Sequence, residues 1–219
     1  FPALDIKDED KMSKAILIQL IIFILFNPLQ AAEQAAKIII SKDNHHNILS
    51  FETDYRYDKG SNAYKHYDFG IKIPISNTIR YSLNYRQIYQ FNSKNNQWKI
   101  EKRPHLSLQK KLEYKLLTTE IRVREEFRFK TDNSYANRNR IRLMFKSNKE
   151  ILKLKPFVSN EWFYDFDAEK YNKNWLSVGL SLSSLYRSNL ALYYKYVSKL
   201  EGSNWTSSDS LVLKLLYKF

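Results

Sequence analysis

Leu211-Val212-Leu213-Lys214-Leu215-Leu216-Tyr217-Lys218-Phe219 sets the pattern for the whole chain. Read with a period of two, Leu211, Leu213, Leu215, Tyr217 and Phe219 share one face. Val212, Lys214, Leu216 and Lys218 share the other. Alternate side chains of a β-strand point to opposite faces, so this segment predicts an apolar wall backed by a partly charged one.

The same alternation recurs upstream between polar breaks, and no segment after Ala36 carries a sustained helical stripe. Ten runs are predicted. They are Ile48–Tyr57, Tyr64–Ile73, Thr78–Tyr89, Gln97–Gln109, Leu116–Lys130, Arg138–Lys146, Lys153–Phe166, Asn174–Ser183, Asn189–Ser198 and Ser208–Phe219. Glu125 and Asn160 fall on the apolar register, while Phe157 and Phe163 fall on the polar one. Either a β-bulge resets the phase there, or these positions sit at a membrane boundary. Residues 33–47 fit no run and read as an arm, with Lys37–Ser41 as an optional further strand.

Composition bounds the function. The 219 residues suit one domain, and the net charge of +13 is spread along the chain. Tyrosine (16) and phenylalanine (13) are abundant, glycine (4) and proline (5) are scarce. The absence of cysteine excludes disulfides, thiolate nucleophiles and cysteine metal sites. A low mean hydropathy is compatible with a membrane barrel, whose strands alternate lipid-facing and lumen-facing residues. A basic, aromatic chain also suits nucleic acid, but the start of the chain argues for export and against that partner.

Met12-Ser13-Lys14 is a short basic start, and Ala15–Phe26 is a nearly unbroken apolar run. Asn27-Pro28 breaks it before Leu29-Gln30-Ala31-Ala32. This has the form of a secretory signal peptide over residues 12–31, too short for a spanning helix, which needs about 20 residues. Residues 1–11 precede that start and are set aside as foreign to the fold. Residues 32–47 are then the arm, and residues 48–219 the exported domain.

An aromatic residue ending such a strand resembles the last strand of bacterial outer-membrane barrels. The expected fold is therefore all-β: a closed antiparallel transmembrane β-barrel of about ten strands, with eight or twelve as alternatives. With the N-terminus and Phe219 at the periplasmic end, the outer connections are Asp58–Ala63, Phe91–Asn96, Thr131–Asn137, Asp167–Lys173 and Lys199–Ser207. The inner ones, near Pro74–Asn77, Lys110–Lys115, Ser147–Leu152 and Ser184–Ser188, are expected to be shorter.

A second resemblance rests on four segments in order: Arg103–Leu108, Arg122–Phe129, Asn137–Leu143 and Lys155–Tyr164. An arginine-rich double strand precedes Pro156-Phe157-Val158-Ser159-Asn160-Glu161-Trp162-Phe163, then a strand containing Gly179, then Tyr193-Tyr194. Over residues 103–219 this resembles domain of unknown function 2490, an uncharacterised bacterial family of outer-membrane barrels. The resemblance implies a fold and an outer-membrane location, with no catalytic residues to carry over. The chain is more weakly similar to small acidic-sugar porins, in size, terminal Phe and lumenal arginines. That similarity implies twelve strands.

In a barrel of this kind the polar registers line the lumen. The candidates are Arg80, Arg86, Arg103, Arg122, Arg124, Arg128, Arg138, Arg140 and Arg142, with Glu120, Glu126, Glu161 and Asp165. Glu52, Asp54 and Glu101 share the register. Two outcomes remain open. Ion pairs between adjacent strands can fill a narrow lumen as a plug, since charges out of water must be paired. Alternatively, excess arginine lines a narrow pore for small anionic solutes, as rings of Arg and Lys do in anion pores. The alternative function is a closed structural or surface-interaction barrel without conductance. An outer-membrane hydrolase is the third class. Its candidates would be His45, His46 (near Asp43), His66 and His105, and no G-x-S-x-G motif accompanies them. No catalytic residue, metal site or cofactor is therefore assigned. The expected partners are outer-membrane lipid, lipopolysaccharide and small anionic solutes. Tyr55, Tyr57, Tyr89, Trp98, Phe129, Trp162, Trp175, Tyr196, Trp205 and Tyr217, near run ends, are expected as interfacial girdles, or else as a carbohydrate-stacking surface.

Overall fold

The structure, a computed structural model, describes residues 33–44, 47–58, 61–93, 95–185 and 188–218. The signal peptide read over 12–31, the foreign segment 1–11, His45, His46 and Phe219 lie outside the described residues.

Eleven strands follow one another: β1 (Glu33–Asn44), β2 (Asn47–Asp58), β3 (Ser61–Pro74), β4 (Ile79–Asn92), β5 (Gln97–Glu113), β6 (Leu117–Lys130), β7 (Tyr135–Ser147), β8 (Leu154–Asp165), β9 (Lys170–Leu185), β10 (Ser188–Glu201) and β11 (Asn204–Lys218). Each pairs antiparallel with its sequence neighbours, and β1 closes the barrel by pairing with β11. That last pair is parallel, from Glu33↔Ser210 to Ser41↔Lys218. An odd number of up-and-down strands begins and ends in the same direction, so closure forces one parallel pair.

The expected count of about ten is thus corrected to eleven, and the added strand is the residue 33–44 segment read as an arm. Its alternation is blurred because Ala35 and Ile39 are buried facing inward while Ile38 and Ile40 face outward. An apolar residue on both faces hides the period of two. Closure also sets the start of β1 and the end of β11 at opposite ends of the barrel, where one shared end was expected. Glu33 lies opposite Asp58, whereas Lys218 lies opposite Ser41, at the other end of the barrel.

The connections sort into two sets as the alternation required, but their lengths do not differ as expected. At the Asp58/Ser61 end they have two to four residues, and at the Pro74/Ile79 end two to six. Much of what reads as outer loop is strand. The strands run 12 to 17 residues, beyond the roughly 9–11 that a tilted transmembrane strand needs.

Burial is inverted relative to a water-soluble domain. Buried side chains are dominated by Asp54, His66, Asp68, Glu126, Arg140 and Glu161. Outward positions are large and apolar: Leu83 is 45% exposed and Val123 41%. An inward ionic face and an outward apolar face invert the usual residue preference.

The out-of-phase residues keep the phase of their own strands, and the one register shift beside them, between Phe163 and Tyr164, places its extra residue on β9. Glu125 faces outward and accepts from Asn139 Nδ2 at 3.1 Å, and Asn174 Nδ2 donates to Asn160 Oδ1 at 2.6 Å. Each polar outward residue meets a polar partner on the next strand. Phe157 and Phe163 point inward. Phe157 meets Tyr193 edge-on, ring centres 5.8 Å apart, and between their strands lies Gly179, opposite both residues. A Cβ at Gly179 would approach Tyr193 Cβ to 2.3 Å and the Leu192 carbonyl oxygen to 2.6 Å, so only glycine fits that row.

Candidate functional site: the charged lumen

Inward side chains of all eleven strands surround a central cavity of about 1110 Å³. Adjacent strands place several arginines directly opposite one another: Arg86↔Arg103, Arg122↔Arg142 and Arg124↔Arg140. Like charges opposite each other are destabilising, so each pair requires carboxylates nearby.

Glu126 is the hub that supplies one. Its side chain is 0% exposed. Arg138 Nε donates to Glu126 Oε2 at 3.0 Å, and Arg140 Nη1 donates to Oε1 at 2.6 Å. Arg103 Nη1 reaches Oε2 at 3.4 Å, and Arg124 Nη1 stands off at 3.9 Å. Arg140 also donates from Nη2 to Glu161 at 2.8 Å, and Arg122 Nη2 donates to the same carboxylate at 2.7 Å. Arg128 grips Glu101 with two N–H groups, at 2.8 and 3.0 Å, and Arg142 pairs with Glu120. Planar guanidinium forks suit this shared, bidentate pairing.

A second network occupies β1 to β4. Lys37 bridges Glu52 at 3.1 Å and Asp54 at 3.3 Å, and Arg56 Nε donates to Asp54 at 3.1 Å. Arg86 Nε donates to Asp68 at 2.7 Å. His66 Nε2 lies 3.0 Å from Glu52, with Nδ1 3.0 Å from the Tyr64 hydroxyl. His105 is buried with Nδ1 near the Arg103 carbonyl and Nε2 3.6 Å from Asp68. Both imidazoles are thus held inside the ionic wall. Among the described residues no three His, Cys, Asp or Glu side chains group as a metal site.

The candidates from the sequence are placed as follows. Arg86, Arg103, Arg122, Arg124, Arg128, Arg138, Arg140, Arg142, Glu120, Glu161 and Asp165 line the cavity. Glu126 lies behind them. Arg80, at the end of β4 opposite Pro74, is exposed and outside the lining. Trp175 also departs from its expected place: it lines the lumen instead of an outer girdle, while Trp98, Phe129, Trp162 and Trp205 are exposed outside.

Two features were not among the candidates. Phe163, 0% exposed, is a lumenal aromatic core: Arg140 Cζ sits 4.5 Å from its ring centre, Arg138 Cζ 5.0 Å, and Trp175 packs at 4.7 Å. Cation–π contact lets these guanidiniums rest on apolar faces. The other feature is the wall formed by β9, β10 and β11. It contributes Lys173, Lys195, Lys199 and Lys214 to the lining, and every lining carboxylate comes from β1, β2, β3, β5, β6 or β8. Across the whole lining, sixteen Lys and Arg face nine Asp and Glu. The β9–β11 wall is thus positive with no carboxylate of its own in the lining.

Compared with solved structures, the chain resembles that of the NanC porin. The two share a TM-score of 0.53 at 12% identity, over 85% of this chain and 98% of that one. At this identity the likeness concerns the fold alone, which is porin-like. An anion-selective porin from Comamonas acidovorans aligns with a TM-score of 0.39 at 6% identity, over 77% of this chain and 55% of that one. A search of curated proteins gave no match. The family resemblance read from the arginine-rich strands holds, and the match extends further toward the N-terminus, into β1. The model of a protein family of unknown function, DUF2490, matches residues 35–208, and the chain belongs to that family.

Proposed function

We propose that this protein is a bacterial outer-membrane channel, narrow and selective for small anionic solutes. The supporting observation is the lining of the lumen, sixteen cations to nine carboxylates around a cavity of about 1110 Å³. A cavity of low dielectric walls and one predominant charge focuses potential and concentrates counter-ions. Fixed Lys and Arg rings select anions in this way. The outward apolar face contacts outer-membrane lipid and lipopolysaccharide, and residues 12–31 act as the export signal. The function requires no cofactor and no catalytic group.

The competing reading is a closed barrel. The observation favouring it is the packing of Glu126, fully enclosed by Arg138, Arg140 and Arg103. That hub occupies the β5–β7 side, whereas the lysine wall of β9–β11 holds no lining carboxylate of its own. The channel reading therefore assigns passage to the lysine side and support to the arginine side.

Recording single channels of refolded protein in planar bilayers separates the two. Across a KCl gradient, discrete steps with a reversal potential of the sign set by chloride are expected. Absence of steps supports the closed barrel, and a potassium-directed reversal contradicts the anion selectivity.

A further inference from the structure

We infer that the lumen holds a binding station for small polyvalent oxyanions, centred on Lys173. The inference deepens the channel reading and rests on its water-accessible lumen. Lys173 on β9 stands directly opposite Lys199 on β10 and opposite Phe163 on β8. The charged groups acting on it most strongly are Arg138, Arg56, Lys195 and Lys199, all four cations. All five line the cavity.

These cations differ in how far they are neutralised. Arg138 donates to Glu126 at 3.0 Å, Arg56 to Asp54 at 3.1 Å, and Lys199 to Glu201 at 2.9 Å. Lys195 has a carboxylate only at a distance, Glu33 at 3.9 Å. Lys173 makes no ion pair or hydrogen bond among the described residues. Its Nζ instead lies 5.2 Å from the Trp175 ring centre and 5.9 Å from that of Phe163, and Lys195 Nζ lies 5.0 Å from Trp175. An aromatic face attracts a cation without accepting its N–H groups as a carboxylate does. The ammonium donors of Lys173 thus remain available, and like charges crowd around them.

Like charges placed directly opposite each other cost stability, and a bound anion reverses that cost. A single halide offers one charge to several convergent cations. An oxyanion with two charges and several acceptor oxygens, such as a phosphate or a dicarboxylate, meets Lys173 and Lys195 together through charge-assisted hydrogen bonds. The class assigned is therefore small polyvalent oxyanions.

Titration calorimetry of inorganic phosphate into the refolded, detergent-held full chain, at constant ionic strength in chloride, tests this. A saturable one-site isotherm is expected for the wild type. Lys173→Gln is expected to weaken it about tenfold or more, the loss of one hydrogen bond to a charged group. Lys146→Gln, which removes a lining lysine outside the cluster, is expected to leave it unchanged. Should Lys173→Gln fail to refold by circular dichroism and gel mobility, Lys195→Gln takes its place, with a loss in the same direction. A non-saturable isotherm, or equal losses in the cluster variant and Lys146→Gln, overturns the station in favour of a diffuse lumenal potential. Conductance of the same preparation separates the two readings. Anion-selective current without a saturable phosphate site overturns the station alone, and a phosphate site without current overturns the channel alone.

Discussion

Replacing Glu126 with Ala is expected to lower the unfolding free energy of the barrel by about 3–5 kcal/mol, the range for removing one partner of a buried ionic pair. The side chain is fully enclosed, so its loss takes the paired carboxylate from Arg138 and one of two from Arg140 and Arg103, which keep Glu161 and Glu101. The strand register makes this worse, because Arg124 stands directly opposite Arg140. Glu126→Gln keeps the volume and one acceptor but removes the charge, so a loss approaching that of the alanine variant is expected. Glu113, exposed at the end of β5 and paired with Lys111, is the comparison, with a change within about 0.5 kcal/mol. Denaturant unfolding from lipid vesicles measures all three. A loss below about 1 kcal/mol for Glu126→Ala would mean that lumenal water solvates the arginines, contrary to the hub described above.

Deletion of residues 33–44 is expected to abolish folding of the barrel altogether. Without β1, the edges of β2 and β11 lose their partners along the pairs from Glu33↔Ser210 to Ser41↔Lys218 and from Glu33↔Asp58 to Asn44↔Asn47. Each unpaired backbone group in hydrocarbon costs several kcal/mol, which is why membrane sheets close. Loss of the compact, heat-sensitive gel species is the readout. A finer test uses the absence of native cysteine: Ala35→Cys with Val212→Cys places two thiols directly opposite across the parallel seam. Neighbouring strands hold Cα atoms within disulfide range, so oxidation should join them. A deletion variant that folds, or a double-cysteine variant that stays reduced, would make residues 33–44 an arm after all.

Much of the barrel was legible because its strands alternate strongly. In β6, Ile121, Val123, Phe127 against Arg122, Arg124, Glu126 leaves no doubt about the period, and the structure turns the charged set inward. Where one face is mixed, the signal fails. β1 carries Ile38, Ile39 and Ile40 in succession, and Ile39 fills an inward position that a charge would have marked. Loops were overestimated because polar residues at strand ends, such as Asn62 and Asn204, pair in the sheet as readily as apolar ones. The phase breaks at Phe157 and Phe163 could not be resolved from alternation, since their reason is a neighbour on another strand: Tyr193 for one, Trp175 and two arginines for the other.

The lumenal site was legible in part. The arginines stood out by number, and most of the candidates line the cavity. Which of them are already neutralised depends on contacts across strands and across the lumen, such as Arg140 reaching both Glu126 and Glu161. Lys195 and Lys214 stand on the polar registers of their runs, yet nothing local marks them as part of a wall without lining carboxylates of its own. That property belongs to three strands together. Arg56 and Trp175 illustrate the same limit: they lie on β2 and β9, and approach to 6.0 Å only because the sheet closes.

Spin labels placed singly at residues 211 to 216, on the protein refolded into lipid vesicles, measure which way the walls of the strand face. Collision with lipid-soluble oxygen should be strong at Leu211, Leu213 and Leu215, and weak at Val212, Lys214 and Leu216, because the first set faces outward and the second lines the cavity or is buried against it. Val212 and Leu216 are decisive, being apolar yet turned inward. A profile without a period of two, or all six labels open to water-soluble relaxant, would contradict a barrel with its ionic face inside and its apolar face in the bilayer.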